Sequence, residues 1–219
     1  MIGLDDVSLE PAASPTIGHG LRCTIAPWTV AVIWAVVVAA GMGFLAQYAN
    51  SAGKLTAAPA QIAAVPGEAT ASYQLVMFLH PHCPCSVASV NELAKIMARC
   101  DGQLQATVYF IRPKSQPAGW ERGPLWNLVV TIPGVNAQTD DGDLKSDQFH
   151  ANTSGETLVY DRAGQLCFQG GITAARGHAG DNRGESAIIA IVLGKDFHVE
   201  SSPVFGCPLR AKTAIAENE

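Results

Sequence analysis

Two cysteines separated by a single proline, Cys83-Pro84-Cys85, with His80 and His82 just ahead of them, are the residues in this chain best suited to chemistry. A cysteine thiolate attacks disulfides and binds metal ions; the protonated thiol does neither well. The apolar run Tyr73–Leu79 leads into the cysteines, and Val87, Val90, Ala94 and Met97 recur at helical spacing after them. That pattern predicts a strand, a tight turn and a helix beginning near Pro84. A thiol at a helix start meets unpaired backbone N–H groups and the positive end of the helix dipole, and both favour the thiolate. A Cys83–Cys85 bridge would close a small ring with its Cα atoms near the limit of normal disulfide geometry, so the oxidised pair is expected to be a comparatively strong oxidant. His82, when protonated, would stabilise a neighbouring thiolate further.

The same residues suit a soft metal. Cys83, Cys85 and an imidazole from His80, His82 or His178 would form a thiolate and nitrogen site for Cu(I), with Zn(II) the weaker fit. His178 lies in the glycine-rich stretch 170–184, which follows the last strand and reads either as a surface connection or as a loop placed where it can fold back over the cysteines. Arg176 in that stretch is a candidate to stabilise a thiolate or bind an anionic group of a partner. Cys207 falls in a late loop; the sequence leaves open whether it pairs with Cys167 or Cys100 or reaches Cys83 and Cys85 as a third thiol. Asp140, Asp141 and Asp143 read as a solvated acidic turn without calcium-loop spacing.

The elements that must position these groups follow from the rest of the chain. A net charge of −5 and the absence of a Lys/Arg cluster argue against a nucleic-acid partner. The six cysteines are too scattered for a disulfide scaffold, and no paired CxxC zinc pattern exists. Residues 1–24 read as a flexible tail. Residues 25–48 are uncharged and apolar over about 20 positions, the length of a membrane-spanning helix, with Trp28 and Tyr48 near its ends. The expectation is an uncleaved single-pass anchor in the cytoplasmic membrane. Arg22 and Lys54 balance across it, so charge does not orient it; the thiol chemistry favours an extracytoplasmic, periplasmic domain. Residues 49–71, rich in Ala and Pro, read as a linker, 72–210 as the folded domain and 211–219 as a tail.

Within the domain, strands are expected at 73–79, 104–111 and 135–138. A hairpin is expected at 157–160 and 165–168 around Asp161-Arg162-Ala163-Gly164, and helices after Pro84, at 124–131, near 144–150 and at 185–193. This is an α/β order, with parallel crossovers first and an antiparallel hairpin later. With the cysteines at the first strand-to-helix turn, it resembles the thioredoxin-like fold with a central mixed sheet, and more specifically the membrane-anchored thiol–disulfide proteins of the TlpA/RedB type.

The resemblance spans roughly residues 70–195 and implies a thiol–disulfide oxidoreductase with Cys83 as nucleophile and Cys85 as the resolving thiol. His80, His82, Arg176, His178 and Cys207 would be auxiliary. It implies no cofactor beyond the redox-active disulfide, and protein thiols or disulfides as partners. The family motif is Cys-x-x-Cys; here the pair is one residue shorter, or Cys83 and Ser86 hold the two usual positions with Cys85 extra. The family's cis-proline would fall near Gly155, where this chain has none. The alternative is a copper-binding chaperone similar to the Sco type, using the same cysteines and a late histidine.

Overall fold

The computed structural model describes residues 27–62, 72–196 and 199–210, so the expected tails and residues 63–71 of the expected linker lie outside the described residues. The chain divides into two compact units, Met1–Gly43 and Phe44–Glu219. Helix α1, Pro27–Ala49, has no buried residue and a mean hydropathy of 2.3 over its most apolar window. By length and composition it can cross a membrane.

The sheet carries six strands in the order β3-β2-β1-β4-β5-β6. Strands β1 (Tyr73–Leu79), β2 (Leu104–Arg112) and β3 (Val135–Asp141) run parallel. Strands β4 (Glu156–Tyr160) and β5 (Leu166–Gly170) form the expected antiparallel hairpin, with β4 antiparallel to β1. The two-residue β6 (Ser201–Ser202) adds to β5. Strand β1 is central because both its faces are apolar, which is what a strand covered on two sides requires. Leu75, Met77 and Leu79 pack with Leu93 and Ile96 of α2 (Ser86–Arg99) and with Ile188 and Val192 of α5 (Arg183–Leu193). Val76 and Phe78 face the other way, onto Ile111, Phe149, Leu158 and Tyr160. The alternation fixes the register, so the chain leaves β1 at Leu79 with the turn 80–85 above the sheet's end. Short helices α3 (Pro124–Val129) and α4 (Leu144–Gln148) bracket β3.

Three details differ from expectation. Helix α2 begins at Ser86, two residues later than expected, with Cys85 as its cap residue. Strand β3 runs on to Asp141, and Asp140 is fully buried rather than solvated. Its carboxylate accepts hydrogen bonds from the backbone N–H of Lys145 (2.6 Å) and Ser146 (2.8 Å), the unpaired donors of the first turn of α4. Part of the expected linker is strapped to the domain. The Ile62 N–H donates to Gly164 O, the Leu166 N–H to Ala60 O, Gln169 Nε2 to Thr56 O, and Thr153 Oγ1 to Lys54 O. Small Ala, Pro and Gly side chains let this segment lie close against β5 and the 150–153 loop, a use of that composition that mimics a free spacer in sequence.

Removing the Asp140 carboxylate leaves two helix donors unpaired. Asp140→Ala is expected to lower unfolding stability by about 1–2 kcal/mol, read as a lower urea midpoint. Asp141→Ala, which removes an exposed partner of Arg112 (2.9 Å), is expected to cost less than about 1 kcal/mol.

Candidate active site

The turn between β1 and α2 is built by short backbone bonds: Cys83 N–H to His80 O (3.0 Å), Ser86 N–H to Cys83 O (3.1 Å) and Ala88 N–H to Cys85 O (3.2 Å). They wrap the chain so that Cys83 is buried, with 4 % of its surface exposed, while Cys85 keeps partial exposure. Cys207 arrives from the other side. The Ser154 N–H donates to Cys207 O (2.8 Å), and Thr153 bridges Pro208. Gly206 presses on the Ser154 carbonyl so closely that a Cβ there would overlap it, so a glycine is required for Cys207 to approach. The sulfurs of Cys83, Cys85 and Cys207 all lie within 4.8 Å of one another. Of the alternatives open for Cys207, the structure holds the third-thiol one; Cys100 and Cys167 are free thiols.

Burial alone would push the Cys83 thiol up, but hydrogen bonds to its sulfur outweigh it. The Ser86 hydroxyl, the Cys207 thiol, and the backbone N–H groups of Cys207 and Cys85 together hold Cys83 below the ordinary thiol value of 9.0. The two companions move the other way. Cys85 is raised by burial and then by the charge of Cys83, and Cys207 is pushed up to about 12 by burial and then by its bond to Cys83. Within the cluster Cys83 is therefore the thiol that loses its proton most readily, and Cys85 and Cys207 hold theirs more tightly. Removing the Cys83 proton costs less here because donors are already aimed at the sulfur.

The Ser86 hydroxyl also pairs with Ser154 Oγ (2.8 Å), and the His80 N–H donates to Ser154 Oγ (2.8 Å). His80, Ser154 and Ser86 thus form a hydrogen-bonded chain that ends beside the Cys83 sulfur, and either serine hydroxyl can be the donor between them. Gly155, where the resemblance would put a proline, has φ +91° and donates its N–H to Phe78 O (2.8 Å), and no cis peptide bond occurs among the described residues. Glu156, buried next to it, accepts from Asn152 N–H and Gln169 Nε2 (both 3.0 Å), so the 152–155 turn is held from below.

The histidines take other places than expected. His80 accepts the His82 N–H at its Nδ1 (3.2 Å), and burial followed by the nearness of His82 keeps His80 below its ordinary value, so it is neutral. His82 is exposed and packs edge-on to Trp120 with ring centres 4.6 Å apart, and His80 lies 5.6 Å from the same ring. His178 donates from Nδ1 to the Arg176 carbonyl (2.8 Å). Among the described residues no histidine joins the sulfur cluster, which corrects the expected thiolate and imidazole ligand set.

Arg176 does reach the site: its charge favours the thiolates of Cys85 and Cys207. It is held there by Gly206 O and by the ring of Tyr48, 5.0 Å from its guanidinium. Its loop is tied to α2, where the buried Glu92 carboxylate accepts the Gly180 N–H (2.7 Å). Ser154 and Trp120 carried no sequence signal of a role here, because each reaches the turn from a distant element.

No protein-family model matches the sequence, and no curated protein matches it. Among solved structures, a hypothetical protein from Sinorhizobium meliloti superposes with a TM-score of 0.56 at 20% identity, covering 72% of this chain and 96% of that one. An uncharacterized conserved protein from Geobacillus kaustophilus gives 0.53 at 16% identity, covering 66% and 80%. A secreted Mycobacterium tuberculosis disulfide oxidoreductase aligns at 0.42 and 12% identity over 57% and 82%, too low to carry weight. Likeness at this level bears on fold alone. With parallel β1-α2-β2, an antiparallel β4–β5 hairpin on the far side of β1, a closing α5 and a cysteine turn after β1, the chain has a thioredoxin-like fold.

Ser86→Ala removes a group that favours the Cys83 thiolate and is expected to raise the Cys83 pKa. Alkylation of Cys83 at neutral pH should slow about tenfold, the equivalent of one hydrogen bond to a charged group. The rate in the parent protein should fall as pH drops through the lowered Cys83 value, and Ser86→Ala should move that fall to higher pH.

Proposed function

We propose that the protein is a membrane-tethered thiol–disulfide oxidoreductase with Cys83 as its nucleophile. One observation carries the reading: a single sulfur receives several donors, while two thiols sit within reach to complete the exchange. The Cys83 thiolate attacks one sulfur of a substrate disulfide; a Cys83–substrate bond forms, the substrate S–S bond breaks, and the leaving sulfur takes the electron pair and then a proton. Cys85 or Cys207, once it loses its proton to solvent, attacks the Cys83 sulfur, and the second substrate thiolate departs. The substrate gains two electrons and the protein keeps a disulfide at Cys83. The reverse sequence oxidises a substrate dithiol.

Arg176 supports the resolving step, because its charge favours the thiolate of whichever companion attacks. The exposed His82 and the partly exposed Trp120 beside the turn offer a surface for an unfolded or extended segment bearing the substrate cysteine. The helix α1 supports the tether, and the thiol chemistry supports a domain facing an oxidising, extracytoplasmic compartment with protein thiols or disulfides as partners. The class that fits best is the TlpA/RedB type.

The test is disulfide exchange by the full chain in detergent, against glutathione disulfide and a disulfide-bearing peptide. Cys83→Ser is expected to abolish exchange. Cys85→Ser or Cys207→Ser alone should instead slow release and accumulate a mixed disulfide at Cys83. Undiminished exchange by Cys83→Ser would overturn the reading.

A further inference from the structure

We propose that Cys83, Cys85 and Cys207 together form a trithiolate site for one Cu(I) ion. The three sulfurs already lie within 4.8 Å of one another. Metal–thiolate bonds of about 2.3 Å place three sulfurs around a planar three-coordinate ion roughly 4.0 Å apart. Closing on an ion therefore takes side-chain shifts of less than about 1 Å, with no movement of the elements that carry them.

The scaffold is preformed on two sides. Cys83 and Cys85 share the hydrogen-bonded turn before α2, and the Cys207 loop is fixed by the Ser154 N–H and by the Thr153–Pro208 bridge. The donor set selects the metal. Among the described residues no histidine, aspartate or glutamate joins the cluster, so three soft ligands stand without a fourth. Zn(II) in closed protein sites takes four ligands, whereas soft thiolates at low coordination number suit Cu(I). Three thiolates around Cu(I) leave two negative charges, and Arg176, held by Gly206 O and the Tyr48 ring, carries the positive charge that acts on Cys85 and Cys207. Burial of Cys83 keeps water from the innermost ligand.

Binding exchanges protons for the ion: each thiol still protonated releases its proton to solvent, and copper remains Cu(I) with no electron transferred. Ligation needs only reduced thiols, so the site stands independently of any exchange activity. Because the ion occupies the same three sulfurs, the copper-loaded protein cannot form a disulfide at Cys83.

The experiment titrates the reduced full chain in detergent, without oxygen, with Cu(I) against bicinchoninate, and reads the copper shell by X-ray absorption. The expected result is one copper withheld per chain, with three sulfur neighbours and no nitrogen. Cys207→Ser should drop the sulfur count to two. A hydrogen-bond partner of a ligand is typically worth ~10–100-fold in metal affinity, so loss of the ligand itself should weaken retention about 100-fold or more. His80→Ala, His82→Ala and His178→Ala should change neither readout. No copper held against the competitor, a shell containing nitrogen, or unchanged retention in Cys207→Ser would each overturn the site. Retention of Zn(II) in preference to Cu(I) would overturn the choice of metal. The wild-type sulfur count decides the ligand number even if Cys207→Ser does not fold. The exchange assay on metal-free protein is read separately, so failure of one proposal leaves the other standing.

Discussion

The reactive end of this molecule depends on hydrogen bonds that converge on one sulfur. Cys83 is buried, and a buried thiol ordinarily resists losing its proton; the donors from Ser86, Cys207 and Cys85 reverse that preference. Each donor comes from a different constraint. Ser86 is the first residue of α2, Cys85 is its cap, and Cys207 is brought in by a loop that packs on the Thr153-Ser154-Gly155 turn. That turn in turn hangs on Phe78 O at the end of the central strand and on the buried Glu156 carboxylate. The long-range packing of the sheet is what sets the acidity of one side chain.

Much of this was legible in the sequence. The apolar run 73–79 reads best as a strand covered on both faces, and the helical recurrence after Ser86 gives α2 its buried face. The Asp161-Arg162-Ala163-Gly164 turn marked the hairpin, with Gly164 at φ +78°. Local patterns of this kind report neighbours in the chain. The Ser86–Ser154 contact joins residues 68 positions apart, and the hydroxyl of a serine carries no signal of what lies across from it. Asp140 looked like one member of an acidic turn because side-chain type alone does not tell a buried cap from a solvated charge. The segment 53–62 looked like a spacer for the same reason: its small residues suit both free chain and close packing.

The expected role of histidine shows the same limit from the opposite side. Sequence proximity put His82 one residue from Cys83, but that neighbour turns outward to Trp120, and His80 turns back to receive a backbone N–H. The positive charge in the cluster is instead that of Arg176, 91 positions after Cys85 in the chain and held by Gly206 O, and it acts on Cys85 and Cys207. The arrangement reconciles two uses of one site. The proposed copper site would use the three groups as ligands, and the proposed exchange would use Cys83 as nucleophile with two companion thiols. The two states exclude each other because they need the same atoms.

The most direct measurement is to equilibrate the full chain in detergent with glutathione buffers of graded potential, trap free thiols by alkylation, and map every disulfide by mass spectrometry. A nucleophilic Cys83 predicts a single two-electron transition in which Cys83 belongs to every bridge, with Cys85 or Cys207 as its partner. A Cys83 that stays a free thiol across the whole range, while other cysteines pair or none does, would contradict it.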